Sequence, residues 1–179
     1  MRRLGLFLLA VAALGACSRS DRPVGTPLTV QRLQLEIPQG WRLVRPSGGM
    51  RSAQAVIDGP GGPAEFVIFH FGARQGGDVE ANVRRWLAQI EPAPGIPPRR
   101  EQLESDGLRI TFVDAEGTFL GSGMGTGAQP TPQRDARLLG AVIEGEGGPW
   151  FLKATGPDST LAAQRMPFIQ MLQSARLAP

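Results

Sequence analysis

Leu138-Leu139-Gly140-Ala141-Val142-Ile143, then Glu144-Gly145-Glu146-Gly147-Gly148-Pro149, then Trp150-Phe151-Leu152-Lys153-Ala154 is the stretch whose reading decides the architecture. Two short apolar runs flank a link of glycine, proline and acids. Apolar runs of this length, bounded by turn-forming residues, read as strands. A short link between consecutive strands makes them antiparallel neighbours, because a parallel crossover needs a dozen residues or more.

The same pattern recurs upstream. Leu33, Leu35 and Ile37 alternate until Pro38-Gln39-Gly40, and Trp41 and Leu43 continue after that turn. Ala53, Ala55 and Ile57 alternate until Asp58-Gly59-Pro60-Gly61-Gly62-Pro63, which reads as a hairpin loop before a dense apolar strand over 66–71. Residues 108–119 form a long strand containing Ile110, Phe112 and Val113. Trp41, Trp86 and Trp150 each lie in or beside an apolar pattern and read as core, since tryptophan is highly buried on average.

Two segments carry helical signals. Residues 79–90 follow Asp78, a good N-cap, and stop at the proline-rich run Pro92-Ala93-Pro94-Gly95-Ile96-Pro97-Pro98. Residues 159–176 form the second, capped by Asp158 or Ser159. Pro167 inside it predicts a kink or an uneven first half. Its apolar face is Leu161, Phe168, Ile169, Leu172 and Leu177. Strands, helix, strands, helix predicts an α+β fold: an antiparallel β-sheet with two amphipathic helices packed on it. This element order, with the closing helix over 168–174, resembles the PsbP-like layer fold, named for a lumenal photosystem subunit.

The amino end has its own pattern. Arg2 and Arg3 precede an apolar run over 4–14, broken only by Gly5, and Leu14-Gly15-Ala16-Cys17 follows. A positive start, a short apolar stretch and small residues before a cut site mark a secretory signal. The run is shorter than the roughly 20 residues that span a bilayer. Leu14-Gly15-Ala16-Cys17 resembles the lipobox of bacterial lipoproteins. That resemblance implies a lipid thioether on Cys17, cleavage before it, and acylation of the new amino group. Cys17 is the sole cysteine of the chain, so its lipidation leaves no thiol for disulfides or catalysis. Residues 1–16 are thus expected to be signal peptide, 17–27 a lipidated tether, and 28–179 a single domain. The residue after the cysteine is Ser18, not the Asp that retains lipoproteins in the inner membrane. In a Gram-negative host this implies the outer membrane, facing the periplasm.

Losing Arg2 and Arg3 leaves 17 basic residues of the 19, against 16 acids, so the processed chain is nearly neutral. No basic run stands out, which excludes the electrostatic footprint of nucleic-acid binding. Lys153 is the only lysine; the remaining basic residues are arginine, as a GC-rich genome would favour.

The densest unusual stretch begins Phe69-His70-Phe71-Gly72-Ala73-Arg74-Gln75-Gly76-Gly77 and runs to Gln89. With Pro38, Gly40, Trp41, Met50 and Arg51, the set Gly76, Gly77, Asn82, Arg85, Trp86 and Gln89 resembles an uncharacterised family of secreted and lipid-anchored bacterial proteins. The likeness spans about residues 35 to 175 and implies a pattern without a mechanism. On a helical wheel Val79, Val83, Trp86, Leu87 and Ile90 share one face. Asn82, Arg85 and Gln89 line its edge, beside Trp86. Two roles are open for that stripe. It ties the helix to a neighbouring loop, with Arg85 bonding carbonyls of the glycine turn or of the Met50-Arg51 segment. Alternatively it is a ligand or partner site completed by Arg51, His70 and Arg74.

Enzyme chemistry has little to build on. His70 is the only histidine and is expected on the solvent face of its strand, opposite Phe69 and Phe71. One histidine and a lipidated cysteine cannot make a usual zinc site. No Gly-x-Ser-x-Gly elbow accompanies it, and Gly76-Gly77 lacks the Gly-Lys-Ser/Thr of a P-loop. Glu144 and Glu146 sit at a hairpin tip, as solvated acids do. The loop over 121–132 reads as mobile. The expectation is an envelope lipoprotein without cofactor or metal, held to the membrane through Cys17, binding an envelope protein partner. The alternative is a small-ligand receptor or enzyme using Arg51, His70, Arg74 and Arg85.

Overall fold

The computed structural model describes residues 25–73, 75–121 and 131–179. The lipobox with Cys17, the side chain of Arg74 and most of the loop over 121–132 lie outside the described residues.

The elements in chain order are β1 (Thr26–Val30), β2 (Leu33–Ile37), β3 (Trp41–Val44), β4 (Arg51–Ile57), β5 (Ala64–His70), α1 (Val79–Leu87), β6 (Ile90–Pro92), β7 (Arg99–Ser105), β8 (Leu108–Phe119), β9 (Gln133–Glu144), β10 (Trp150–Pro157), α2 (Asp158–Gln173) and β11 (Arg176–Leu177). The main sheet has eight strands in the order β3-β4-β5-β10-β9-β8-β6, with β7 also paired to β8. A second sheet has the order β1-β2-β11. Every pairing is antiparallel. The fold is α+β, an antiparallel sheet with two helices.

The opening hairpin forms as its sequence predicts. Trp150 pairs with Ile143 and Ala154 with Leu139. Both runs read as continuously apolar because β9 is covered on both faces. Leu139, Ala141 and Ile143 join a core with Phe168, Met171 and Leu172 of α2 and with Leu33, Leu35 and Ile37 of β2. Leu138 and Val142 point the other way, into a smaller core with Val83 and Trp86 of α1. The two helices therefore pack on opposite faces of the sheet, with the small sheet on the α2 side. Alternation puts successive strand residues on opposite faces, which makes this double burial possible.

Two tryptophans stitch the layers together. Trp150 Nε1 donates to Val30 O at 3.0 Å, joining the sheets. Trp41 Nε1 donates to Gln164 Oε1 at 2.8 Å, tying β3 to α2.

Several boundaries differ from the sequence reading. The first helix ends at Leu87, and Ile90 instead opens β6, though it keeps its place in the α1-side core. Asp78 caps that helix as expected, accepting from Ala81 N at 2.6 Å. The second helix is not capped by Asp158 or Ser159: Pro157 holds the cap position and makes no side-chain bond there. Asp158 instead accepts from Arg137 at 2.7 Å. The helix continues through Pro167, and most of its buried residues lie beyond that point. The first strand starts at Thr26, just ahead of Leu28. Strands β6 and β7 both lie along the free edge of β8. Among the described residues, no helix is long and apolar enough to cross a membrane.

Candidate functional site

The face of the sheet beside α1 holds most of the residues singled out by the sequence. Its geometry starts with the turn before α1. Gly76 has φ 95°, a conformation that favours glycine, and a Cβ there would come within 2.5 Å of the Phe151 ring. The turn thus lies flat against β10. Asn82, one turn into α1, reaches back and donates to Gly76 O at 2.6 Å and Asp78 O at 2.9 Å. Its Oδ1 accepts from Arg85 Nη2. Arg85 therefore bonds Asn82, not the loop carbonyls or the Met50-Arg51 segment expected of it. Asn82 is the residue that ties helix to turn. It is buried, whereas Arg85 is exposed.

Trp86 is 4% exposed and stands edge-on to Phe151, ring centroids 6.4 Å apart. It fits because β9 offers Gly140 beneath it: a Cβ there would lie 2.7 Å from the indole.

Gln89, just beyond the helix, points along the same face to β10. Its Oε1 accepts from Lys153 Nζ at 3.1 Å. Lys153 lies mid-strand, between Val67 of β5 and Gly140 of β9 in register. It is half-buried. Burial pushes its ammonium below the ordinary lysine range; the Glu65 carboxylate works against that shift, and the positive charges of Arg51 and Arg85 add to it.

Arg51 reaches this face through a bulge. The register slips between Arg51 and Ala53, so Arg51 pairs with Phe69 while Ala53 pairs with Ile68. The extra residue turns Arg51 away from the α2-side core that Ala53 enters, as bulges do. Its Nη1 donates to Glu65 Oε1 at 2.6 Å, and Gln54 Nε2 donates to the same oxygen at 2.9 Å.

His70 does not join this group. It pairs with Trp150, one residue from Phe69, and so belongs to the opposite face. It is half-buried there, not solvent-facing: its ring stacks on Trp150 at 4.7 Å, and Nδ1 lies 3.2 Å from Pro149 O. The expected set of Arg51, His70, Arg74 and Arg85 is thus divided. Arg51 and Arg85 share the α1 side but bond different partners, Glu65 and Asn82, while His70 is behind the sheet and Arg74 lies outside the described residues.

Lys153 and Glu65 are the members that the sequence reading missed. A signal existed for one of them: the sole lysine of an arginine-rich chain interrupts the apolar run of β10. Glu65 gave none, because its meaning depends on which strand lies beside it.

The α2 side holds a second charged group. Arg137 donates to both oxygens of Asp114, at 2.8 and 3.0 Å, and to Glu116 at 2.8 Å. Arg165 also bonds Asp114, at 2.9 Å, and Glu101. Burial works against the Arg137 charge, but its bonds to Asp114 and Asp158 more than offset this, so its proton is held more tightly than usual. Each cation here is matched by carboxylates, which makes the group a clasp between α2 and the sheet. A hollow of about 780 Å³ opens elsewhere, near α1 and β7, beside Glu80, Arg100, Gln102, Arg109 and Glu144.

No family model matches the chain, and no curated protein matches its sequence. A crystal structure of a protein of unknown function from Pseudomonas aeruginosa is similar, with a TM-score of 0.50. The likeness covers 86% of this chain and 97% of that one at 18% identity. It is a likeness of fold.

Proposed function

We propose that the protein is a lipid-anchored binding module of the bacterial envelope. The observation that carries this reading is Leu14-Gly15-Ala16-Cys17 closing a short apolar run, with Cys17 the only cysteine. Diacylglycerol and an amide-linked fatty acid on Cys17 would supply the two or more chains that stable anchoring takes. Ser18 favours the outer membrane, facing the periplasm, in a Gram-negative host. We read the layering as PsbP-like; the sequential hairpins and the closing α2 support that.

Binding rather than catalysis is supported by how the ionisable groups are used. His70 is engaged by Trp150 and Pro149, and the Arg137 clasp is closed on itself. Among the described residues, Arg51, Lys153 and Arg85 each keep donors without a bonded partner, as a recognition surface requires.

Metabolic labelling with a fatty-acid probe tests the anchor. The wild-type chain should label and fractionate with membranes, and Cys17→Ser should remain unlabelled and unprocessed. Equal labelling of the two chains would refute the anchor.

A further inference from the structure

Among the described residues, Lys153 and Arg85 on the α1 side of the sheet have no carboxylate in contact. Lys153 carries three donors. Among the described residues its acceptor is the neutral Gln89 Oε1. Arg85 gives an N–H to Asn82, another neutral group. Neither residue enters any ion pair among the described residues. Glu65 is the nearby carboxylate, and it is held by Arg51 and Gln54. The Arg51–Glu65 pair is neutral, so Lys153 and Arg85 leave two positive charges on this face.

That arrangement costs stability if it serves packing alone. A half-buried ammonium with no anion bonded to it is unfavourable, and an apolar residue would suit the run Trp150-Phe151-Leu152 better. The contrast with Arg137 is direct, since every charge there is met by a carboxylate. The side-chain types also suit an incoming ligand. Arginine presents a planar fork to paired oxygens, and lysine supplies a compact point charge. Gln89 fixes the Lys153 ammonium by one bond and leaves two of its protons to be shared. Arg51, already oriented by Glu65 through the bulge, lies on the same face two strands from Lys153.

We propose that Lys153 and Arg85, flanked by Arg51, form a binding site for a compact anion of the carboxylate or phosphate class. This deepens the binding-module reading by naming its ligand chemistry. The anion is either a free solute or the phosphate of a lipid head group.

The single lysine makes the test direct. The full chain, purified in non-ionic detergent with ¹³Cε-labelled lysine, should show one lysine side-chain resonance. Titration with inorganic phosphate or succinate, at constant ionic strength set by chloride, should shift that resonance saturably. Arg85→Gln should raise the dissociation constant at least tenfold. Arg109→Gln, an exposed arginine on β8, should leave it unchanged. Calorimetry should show the same loss for Lys153→Met. Glycerol phosphate and phosphatidylglycerol-doped micelles separate the sources. Saturation by the soluble compound assigns a free anion, and saturation by the micelles alone assigns a head group. A resonance that no anion shifts beyond the chloride control overturns the site, as does equal weakening by Arg109→Gln. Fatty-acid labelling of Cys17 is read independently, so failure of the anchor and failure of the anion site are distinguishable.

Discussion

Replacing Trp86 with alanine should cost about 3–5 kcal/mol, the usual range for emptying an aromatic site in a core. The structure places the substitution at the upper part of that range. The indole is 4% exposed, meets Phe151 edge-on, and rests on the backbone of Gly140 in a strand covered on both faces. An edge-on aromatic pair adds about 0.5–1.5 kcal/mol beyond its buried area. A central strand cannot move to fill the space without disturbing the α2 side. At a urea dependence of roughly 2 kcal/mol per molar, a loss of about 4 kcal/mol lowers the unfolding midpoint by about 2 M. Gly140→Ala supplies the internal check. Its new methyl would sit 2.7 Å from the indole and 3.0 Å from Val113, an overpacking that costs about 1–3 kcal/mol. In the double variant most of that cost should vanish, because the indole is gone. Equilibrium urea unfolding followed by far-UV circular dichroism measures all four chains. Strictly additive single costs, or a Trp86→Ala midpoint equal to wild type, would refute the contact between α1 and β9 on which the reasoning rests.

Asn82→Ala should lose about 1–3 kcal/mol, because Gly76 O loses its donor and Asp78 O keeps only the backbone N–H of residue 82, while Arg85→Ala, exposed and bonded among the described residues to Asn82 alone, should cost less; thermal melts of the two variants rank them. Arg137→Met should cost up to about 3–5 kcal/mol, because the buried Asp114 loses the guanidinium that meets both its oxygens and keeps Arg165 alone, and Asp114→Leu in the same chain should restore part of the loss; denaturant unfolding showing no recovery would contradict the clasp. Stability should also depend on pH through Lys153. Its folded value is lowered, so between that value and the ordinary 10.5 the unfolded chain binds more protons, and stability rises with pH across that window. Lys153→Met should flatten that rise, and an unchanged pH profile would show that the ammonium is as well solvated in the fold as outside it.

The sequence revealed whatever depends on periodicity along the chain. Leu33, Leu35 and Ile37 face one core, and Val83 and Trp86 face another, as their spacing of two and of three to four residues requires. Strand β7 escaped because Arg99–Ser105 has one apolar residue, Leu103, and gains its structure from pairing with β8. An edge strand of this kind has no hydrophobic signature. The cap of α2 was misread because Asp158 is a good capping residue in isolation, and only the folded chain brings Arg137 to it. The site divides along the same line. Asn82, Arg85 and Gln89 were readable as a stripe on one helix. Which sheet residues the stripe would meet was not, because strand order places Lys153 of β10 beside Val67 of β5. His70 illustrates the converse. Alternation correctly set it opposite Phe69, but both faces of the sheet are occupied, so the far side is Trp150 rather than water.

Strand β11 gives the fold a schedule. It is two residues long, sits two residues from the end of the chain, and pairs with Gln34 and Leu33 near the start. Ala178 N donates to Arg32 O at 2.7 Å, and the Arg32 guanidinium returns a bond to Ala178 O at 3.0 Å. Contacts between such distant parts of a chain form slowly, because loop closure comes before any gain. Strand β2 can pair with β1 at once, across a two-residue turn, whereas its other edge stays open until β11 returns to it from about 140 residues away.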